Sequence, residues 1–527
     1  MKKSLLLLLL LSSLRLIAGC GSANSAPLPP SPLPHVASLA VVPQFIFLTV
    51  GGTEQLSASA TLSDGSTPAP PSACWSSSDA KIVNVSPQGM ASALATGTAT
   101  ITCTDEGVTA STTLTVQPSF SSSAFQSGTF LFLENTVGAD VVRLGMDTSF
   151  GAAVGVFSLN GSDVVAKASY GSHFFGVGLF DGDDTRYYNC GSCTLHYGWN
   201  PTECCDEYRH GSPVLAQSII GDTIYVKTNP VEWVPDDKGG GPTQPVLSDV
   251  IMEKWISPVA NHPYVFQVRY KLTHTGTDRH AEQYNAVPAY EIAASLFSQF
   301  DFYTGTAAGT GAPTTTMPLP QAPLFTFQWL SEGWGAVTNQ QNFGFGAYNP
   351  QAFPYVTANQ GTTDPTDQVS GFSFLTPTSF FPGSSVQFDT FLTLGNYKTW
   401  QLETYDIKRR LGPFPATAPP FGLINATTPA SGSTISGSVP IDGFAFSTLS
   451  DTSVELYVDD VLKASGLANI PSPGIAVTWH GAPLNCTFHF DLNTTQLING
   501  QHAIEVRAKD AAGNVGLLPH RIVTVQN

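Results

Sequence analysis

The sequence predicts an all-β protein of stacked sheets, on three observations. Apolar and polar residues alternate in many short runs, the pattern of half-buried strands. The runs are punctuated by 48 Gly and 39 Pro, residues that permit or force turns. Charged residues are only 12% of the chain, against roughly 25% in an ordinary globular domain, so Ser, Thr, Gly, Asn and Gln must supply the polar surface. A helical period is clear only over Leu402 to Arg410. At 527 residues the chain suits about three domains.

Lys2 and Lys3 precede an unbroken apolar run, Leu5 to Leu11. The run is shorter than the roughly 20 residues that a spanning helix needs, and it suits a secretory leader. Ile17-Ala18-Gly19-Cys20 follows and resembles a bacterial lipobox, with Ile in place of the commoner Leu and Arg15 interrupting the apolar stretch. The resemblance implies a leader over 1–19, lipidation of Cys20 and a membrane anchor outside the cytoplasm. Residues 20–35 are rich in Pro and Ser and read as an extended tether. Without Lys2, Lys3 and Arg15, 19 basic residues face 39 acidic ones, a net charge of −20 against −17 for the whole chain. Nucleic acid demands a basic footprint and is excluded as a partner.

Between 36 and 118, Ile46, Leu48 and Val50 alternate, as do Ala99, Ile101 and Cys103. Gly51-Gly52-Thr53, Gln55-Leu56, Trp75 to Asp79, Val83, Val85, Gly89, Ala95 to Ile101 and Thr113 to Val116 follow in order. Together they resemble a group 2 bacterial immunoglobulin-like domain across the whole segment. The resemblance implies a two-sheet sandwich serving as a spacer or adhesion module. Trp75 is expected to plug the space between the sheets. Cys74 and Cys103 are candidates for a disulfide, which this family does not require.

Residues 119–125 read as a hinge. Residues 126–411 form a long aromatic stretch with strands expected over Val141 to Leu144, Thr223 to Lys227, Val250 to Ile256, Tyr264 to Thr273, Gly344 to Tyr348 and Val386 to Leu394. A large β-sandwich is the natural solution. Its size suits a galactose-mutarotase-like or lyase-like super-sandwich, an analogy of size and pattern. Residues 412–425 read as a Pro-rich linker. Over 426–527, Val454 to Asp459, Asn499-Gly500, Ile504 to Asp510 and Gly513-Asn514 resemble the bacterial Ig-like domains that end many secreted carbohydrate-active proteins.

Chemistry is therefore expected in the central segment. No G-x-S-x-G, phosphate loop or H-E-x-x-H occurs in the chain, which argues against those hydrolase classes. The densest stretch is Asp181 to Ser212. For its Cys190, Cys193, Cys204 and Cys205 three readings stay open: two disulfides, a zinc set or unpaired thiols. Adjacent Cys204 and Cys205 are poor zinc ligands and a strained pair, so each is expected to reach back to Cys190 or Cys193. Cys486 is the expected single thiol. No metal ligand set and no cofactor is assigned; calcium in the turn Asp181 to Asp184 is an option.

Trp199 beside Asn200 suits a sugar surface, the ring stacking on a pyranose and the amide reading hydroxyls; the alternative for Trp199 is a core plug. Trp233, Trp255, Trp329 and Trp334 stand under the same two readings, and Trp334 with Glu332 is a candidate cleft edge. Glycoside chemistry needs two carboxylates about 5–10 Å apart. Glu203, Asp206, Glu253, Glu282, Glu291 and Asp301 are within reach of such a role, and Asp206, Glu253, Glu282 and Glu291 are the catalytic candidates. Asp278, His280 and Glu282 sit two apart and would share a strand face, as an acid/base cluster or a cation site. Two main functions stay open: an envelope-anchored protein that binds or processes polysaccharide, as a hydrolase or lyase if it is an enzyme, and a structural or adhesive surface protein without chemistry; a metal-dependent redox or scavenging role of the cysteine loop is a minor third.

Overall fold

The computed structural model describes residues 33–68, 74–166, 175–181, 199–293, 296–305, 309–319, 326–350, 355–360, 369–411, 420–447, 451–478, 482–511 and 513–527. Residues 1–19, expected to be a leader, lie outside them, as do Cys20, Cys190, Cys193, residues 182–184 and the side chains of Glu282 and Trp329. The described chain is almost wholly β, as the alternation predicts. No described helix is long and apolar enough to cross a membrane.

The first segment folds as a sandwich. A four-stranded sheet runs in the order Ile46–Thr49, Val108–Gln117, Gly97–Asp105, Trp75–Ser77, and a three-stranded sheet holds Thr53–Gln55, Met90–Ala93 and Val83–Val85. Ile46, Leu48, Ala99, Ile101 and Leu114 form the core between them. Trp75 packs at its margin, and a Cβ on Gly89, where φ is +82°, would lie 3.0 Å from the indole. Cys74 and Cys103 are joined by a disulfide. Val50 departs from the expected alternation: the strand ends at Thr49 and Val50 is exposed.

The central segment stacks three sheets around one large core. A nine-stranded sheet runs Val214–Ile220, Thr223–Thr228, Val250–Val259, His262–His274, Ser385–Asn396, Phe343–Tyr348, Trp334–Thr338, Gln299–Phe302, Thr315–Pro318. A seven-stranded sheet faces it, with His280–Ala293 and Val369–Phe380 at its middle. A five-stranded sheet, residues 121–163, completes the layer. Phe157, Phe175, Tyr290, Phe345 and Phe372 interlock in the core. The presumed hinge is not one: Ser121–Ser127 is the edge strand paired with Phe130–Val137. Phe421–Ile424, placed in the linker, is likewise a strand, paired with Ser438–Phe446, and Phe421 is buried because it packs on Phe444 and Phe446.

One charged pair lies inside the core. Strand parity sends Lys254 inward with Met252 and Ile256. Its Nζ donates to Glu203 Oε1 and to the Ala152 carbonyl, and Glu203 Oε2 accepts from Val177 N at 3.0 Å. Burial pushes the Glu203 carboxyl upward, and the ammonium and the Val177 amide pull against it.

Helix Trp400–Leu411 covers part of the outer face of the nine-stranded sheet, seating Trp400 and Ile407 on Val265, Trp334, Tyr348 and Phe391. Its basic last turn suits the helix dipole and ties down the first sandwich: Arg410 donates to the Phe47 carbonyl at 2.8 Å, and Arg409 and Arg410 meet Glu54 at 2.9 and 3.1 Å. The Phe47 ring lies tilted against His262, with centroids 5.4 Å apart. His262 is fully buried, with Nε2 3.0 Å from Asp406 and Nδ1 3.4 Å from Glu403. The last segment forms two further sheets around Ile441, Leu456, Phe488 and Val506. It docks through Arg279 on Asp460, the Arg507 guanidinium 5.9 Å from Phe381, and Leu517 N on Ser379 Oγ at 3.3 Å.

Two outcomes follow from these ion pairs. Lys254→Met alone should cost about 3–5 kcal/mol, because it strands a buried carboxylate. Adding Glu203→Gln should restore at least half, since an amide still accepts from Val177. Denaturant unfolding followed by Trp fluorescence measures both, and an unchanged midpoint for the single variant rejects a holding role for the pair. Burial opposes charge on His262, but Asp406 and Glu403 outweigh it and raise its pKa. Burial likewise works against Asp406, and His262 with Arg410 outweighs it and holds that carboxyl low. A raised imidazole contributes stability below its unfolded pKa of about 6.5 and loses it as pH climbs through the folded value; a depressed carboxyl contributes above about 3.9 and loses it on acidification. Unfolding resistance should therefore fall at both ends of the pH range, and His262→Gln should flatten the alkaline fall.

Candidate functional site

Two places combine exposure with chemistry. The first is the open half of the outer face of the nine-stranded sheet. On strand His262–His274, Val265 lies in the cluster under the helix, but Gln267, Arg269, Lys271 and Thr273 on the same face are only half-buried. The register aligns Tyr225, Trp255, Arg269 and Asp389 in one row across four strands. Tyr225 and Trp255 rings lie 5.3 Å apart. Arg269 donates to both Asp389 oxygens, at 2.7 and 2.9 Å. Tyr225 donates to Glu253 at 2.8 Å, and burial together with that carboxylate pushes the phenol up to about 12. Trp255, Ser257, Gln267, Arg269 and Gln387 line a cleft of about 330 Å³. An aromatic face flanked by amides and a guanidinium suits a ligand with apolar faces and hydroxyl edges.

The second place lies at the sandwich edge, between the two large sheets. Asp249 immediately precedes strand Val250–Val259, His274 ends the next strand, and the register sets Val250 opposite His274. Asp278 stands in the following loop, and His280 opens strand His280–Ala293 of the other sheet. Ligand-capable atoms of these four residues lie within 4.8 Å of one another. His274 Nε2 is 3.1 Å from Asp249 Oδ2 and 3.3 Å from Asp278 Oδ1; His280 Nε2 is 3.6 and 3.9 Å from the same atoms. Each imidazole is oriented through Nδ1, His274 by the Phe381 carbonyl at 3.1 Å and His280 by Asp181 Oδ2 at 2.9 Å. The Trp199 indole donates to Asp249 Oδ1 at 2.8 Å and stacks on His280 at 3.7 Å. Burial works against charge on both His280 and Asp249. The facing carboxylates nevertheless raise His280 to about 9, and His280, Trp199 and His274 hold Asp249 well below the carboxylate range.

The structure separates the candidate acids. Asp206 is buried and closes its own turn, accepting from Tyr208 N at 3.0 Å and His210 N at 2.8 Å and pairing with His210 Nδ1 at 2.7 Å. Glu253 faces outward from the nine-stranded sheet, beside Tyr225 and Lys271. Glu291 lies in the seven-stranded sheet between core residues Tyr290 and Ile292, so it points away from the shared core on the far side. Glu253 and Glu291 thus stand on opposite faces of a sandwich about 10 Å thick and cannot flank one bond.

Trp199 is the core plug rather than a sugar platform: it is 6% exposed, with one face on His280 and an edge toward Phe380. Asn200 is buried beside it, and Trp334 is buried beneath the helix, its indole donating to Glu332 at 2.8 Å. Cys204 is bonded to Cys205 instead of reaching back, both buried against Phe150 and Ala153. Cys486 is a buried free thiol. Asp181 accepts from His280 Nδ1 and Ala281 N. Asp249, His274, Tyr225, Gln267 and Arg269 went unnoticed in the sequence; only Gly276, between His274 and Asp278, marks a close approach there.

Residues 35–116 match the family model of the bacterial Ig-like domain (group 2), and residues 424–506 that of the bacterial Ig domain. The chain therefore carries Ig-like modules on both sides of its central sheets. No curated protein matches it. Among solved structures, it resembles an endo-β-1,4-mannanase from Thermotoga petrophila at 15% identity and TM-score 0.16, covering 25% of this chain and 24% of that one. A galactose mutarotase-like protein from Clostridium acetobutylicum matches at 7% identity and TM-score 0.31, over 53% of this chain and 99% of that one. A heparan sulfate lyase from Pedobacter heparinus matches at 7% identity and TM-score 0.27, over 66% and 42%. Similarity at this level bears on neither activity nor substrate.

Trp199→Phe keeps the ring stack but removes the donor to Asp249, and should cost about 1–2 kcal/mol in thermal or denaturant unfolding. A loss above 4 kcal/mol would instead mark the indole as a packing keystone.

Proposed function

We propose that this is an extracytoplasmic, modular glycan-binding protein that takes polysaccharide on the open half of its nine-stranded sheet. The row Tyr225, Trp255, Arg269 carries the reading, because it offers a stacking ring and hydroxyl-reading groups on one uncovered surface. Binding is favoured over cleavage because Glu253 and Glu291 point to opposite sides of the sandwich. Residues 36–118 and 426–527 act as spacers around the central unit, and a lipid on Cys20 holds the chain at a membrane. Ig-like modules on both flanks support a place at the cell surface.

A polysaccharide panel, with binding and reducing-end release measured separately, tests this. At least one polymer should bind without release of ends. Trp255→Ala should weaken that binding at least about fivefold, in line with the ~1–3 kcal/mol that stacking on an aromatic side chain contributes, while Trp199→Phe leaves it unchanged. Flat responses across the panel would leave the protein a structural surface element, and bond cleavage lost in Glu253→Gln would make it an enzyme.

A further inference from the structure

We propose that Asp249, His274, Asp278 and His280 form a binding site for a zinc-type divalent cation that staples the two large sheets together. A tetrahedral site with bonds of about 2.0–2.1 Å sets its ligand atoms about 3.4 Å apart. The four His–Asp separations here are 3.1, 3.3, 3.6 and 3.9 Å, and the His–His and Asp–Asp pairs lie within 4.8 Å, so a small closing movement would complete the tetrahedron. Two imidazole nitrogens and two carboxylate oxygens suit zinc, whereas calcium wants six to eight oxygens at about 2.3–2.6 Å.

Three further observations point to the same spot. His280 is 4% exposed, yet its Nε2 has no hydrogen-bond partner. A buried polar nitrogen left this way is costly, and a cation at the cluster would satisfy it. Both imidazoles present Nε2 while Nδ1 is occupied by a carbonyl or a carboxylate, the outer-shell arrangement that orients metal-binding histidines. Gly276 keeps the focus open: a Cβ there would fall among Asp249 Oδ2, His274 Nε2 and Asp278 Oδ1, the farthest only 2.7 Å away. A methyl group would press on three of the four ligand atoms.

The ligands come from segments tied to different sheets. Asp249 lies just before one strand of the nine-stranded sheet, His274 ends its neighbour, and His280 begins a strand of the seven-stranded one. An ion held there fastens one edge of the sandwich, and it does so without touching the aromatic row on the outer face.

The test uses the tag-free chain, stripped with a chelator and titrated with zinc against a chromogenic competitor, with calcium in parallel and thermal unfolding as a second readout. One equivalent of zinc should bind and raise the unfolding temperature, and millimolar calcium should not displace it. His274→Gln, His280→Gln and Asp278→Asn should each weaken zinc at least about tenfold, and Asp181→Asn about 10–100-fold. Gly276→Ala removes no ligand but should abolish uptake by forcing three ligand atoms out of place. Asp278 is 65% exposed at its side chain, so its variant keeps the test alive if the glycine variant does not fold. Substoichiometric uptake by the unaltered chain, wild-type affinity in Asp278→Asn and His280→Gln, or calcium bound in preference to zinc would each overturn the proposal. Glycan binding is read separately, so either proposal can fail alone.

Discussion

The placement of the central sheets depends on the buried contact between Lys254 and Glu203. A charge moved out of water is costly unless it is paired and hydrogen-bonded. Here the ammonium also reaches the Ala152 carbonyl, and the carboxylate accepts from Val177. The same two segments meet again nearby, where the Trp199 indole donates to Asp249. Lys254 stands five residues after Asp249 and Glu203 four after Trp199. Two polar cross-links of different kinds thus hold the start of one strand against the segment that leads into the facing sheet. They fix the corner where His274 and His280 converge.

The nine-stranded sheet is covered on its inner face and half-covered on its outer one. Helix Trp400–Leu411 takes the outer half that lies nearest the first Ig-like module and seals it with Trp334, Tyr348 and Phe391. Phe47 shows the consequence for the module itself. Strand Ile46–Thr49 packs Ile46 and Leu48 into its own sandwich and Phe47 onto His262, so three successive residues are buried. The remaining outer half keeps Tyr225, Trp255, Gln267 and Arg269 at the surface, and its polar composition is that of a wet face rather than of an unpaired core.

Roles that look alike in sequence separate once burial is known. Trp199, Trp255 and Trp334 are equivalent as letters. In the fold, the first orders a histidine and an aspartate, the second opens onto a cleft, and the third anchors a helix. The carboxylates divide in the same way. Asp206 closes a turn, Glu253 serves a surface row, and Asp249, in neither group, becomes the hub of the polar corner.

Much of the architecture was legible without coordinates. Period-two alternation marked strands Val250–Val259, His262–His274 and Ser385–Asn396, and ordered motifs marked both Ig-like segments. Asp278 and His280 were legible as neighbours on one side of an extended chain. Alternation is a local property: it tells which residues share a face of a strand, not which strand lies opposite or what covers that face. Val250 meets His274 through pairing across 24 positions, Asp181 orients His280 from 99 away, and the Phe381 carbonyl orients His274 from 107 away. The amino-acid sequence by itself therefore determined the β class, the Ig-like flanks and the polarity of individual strand faces. Only the tertiary structure decided which carboxylates meet which histidines and which tryptophan stays uncovered, because both depend on packing between segments far apart along the chain.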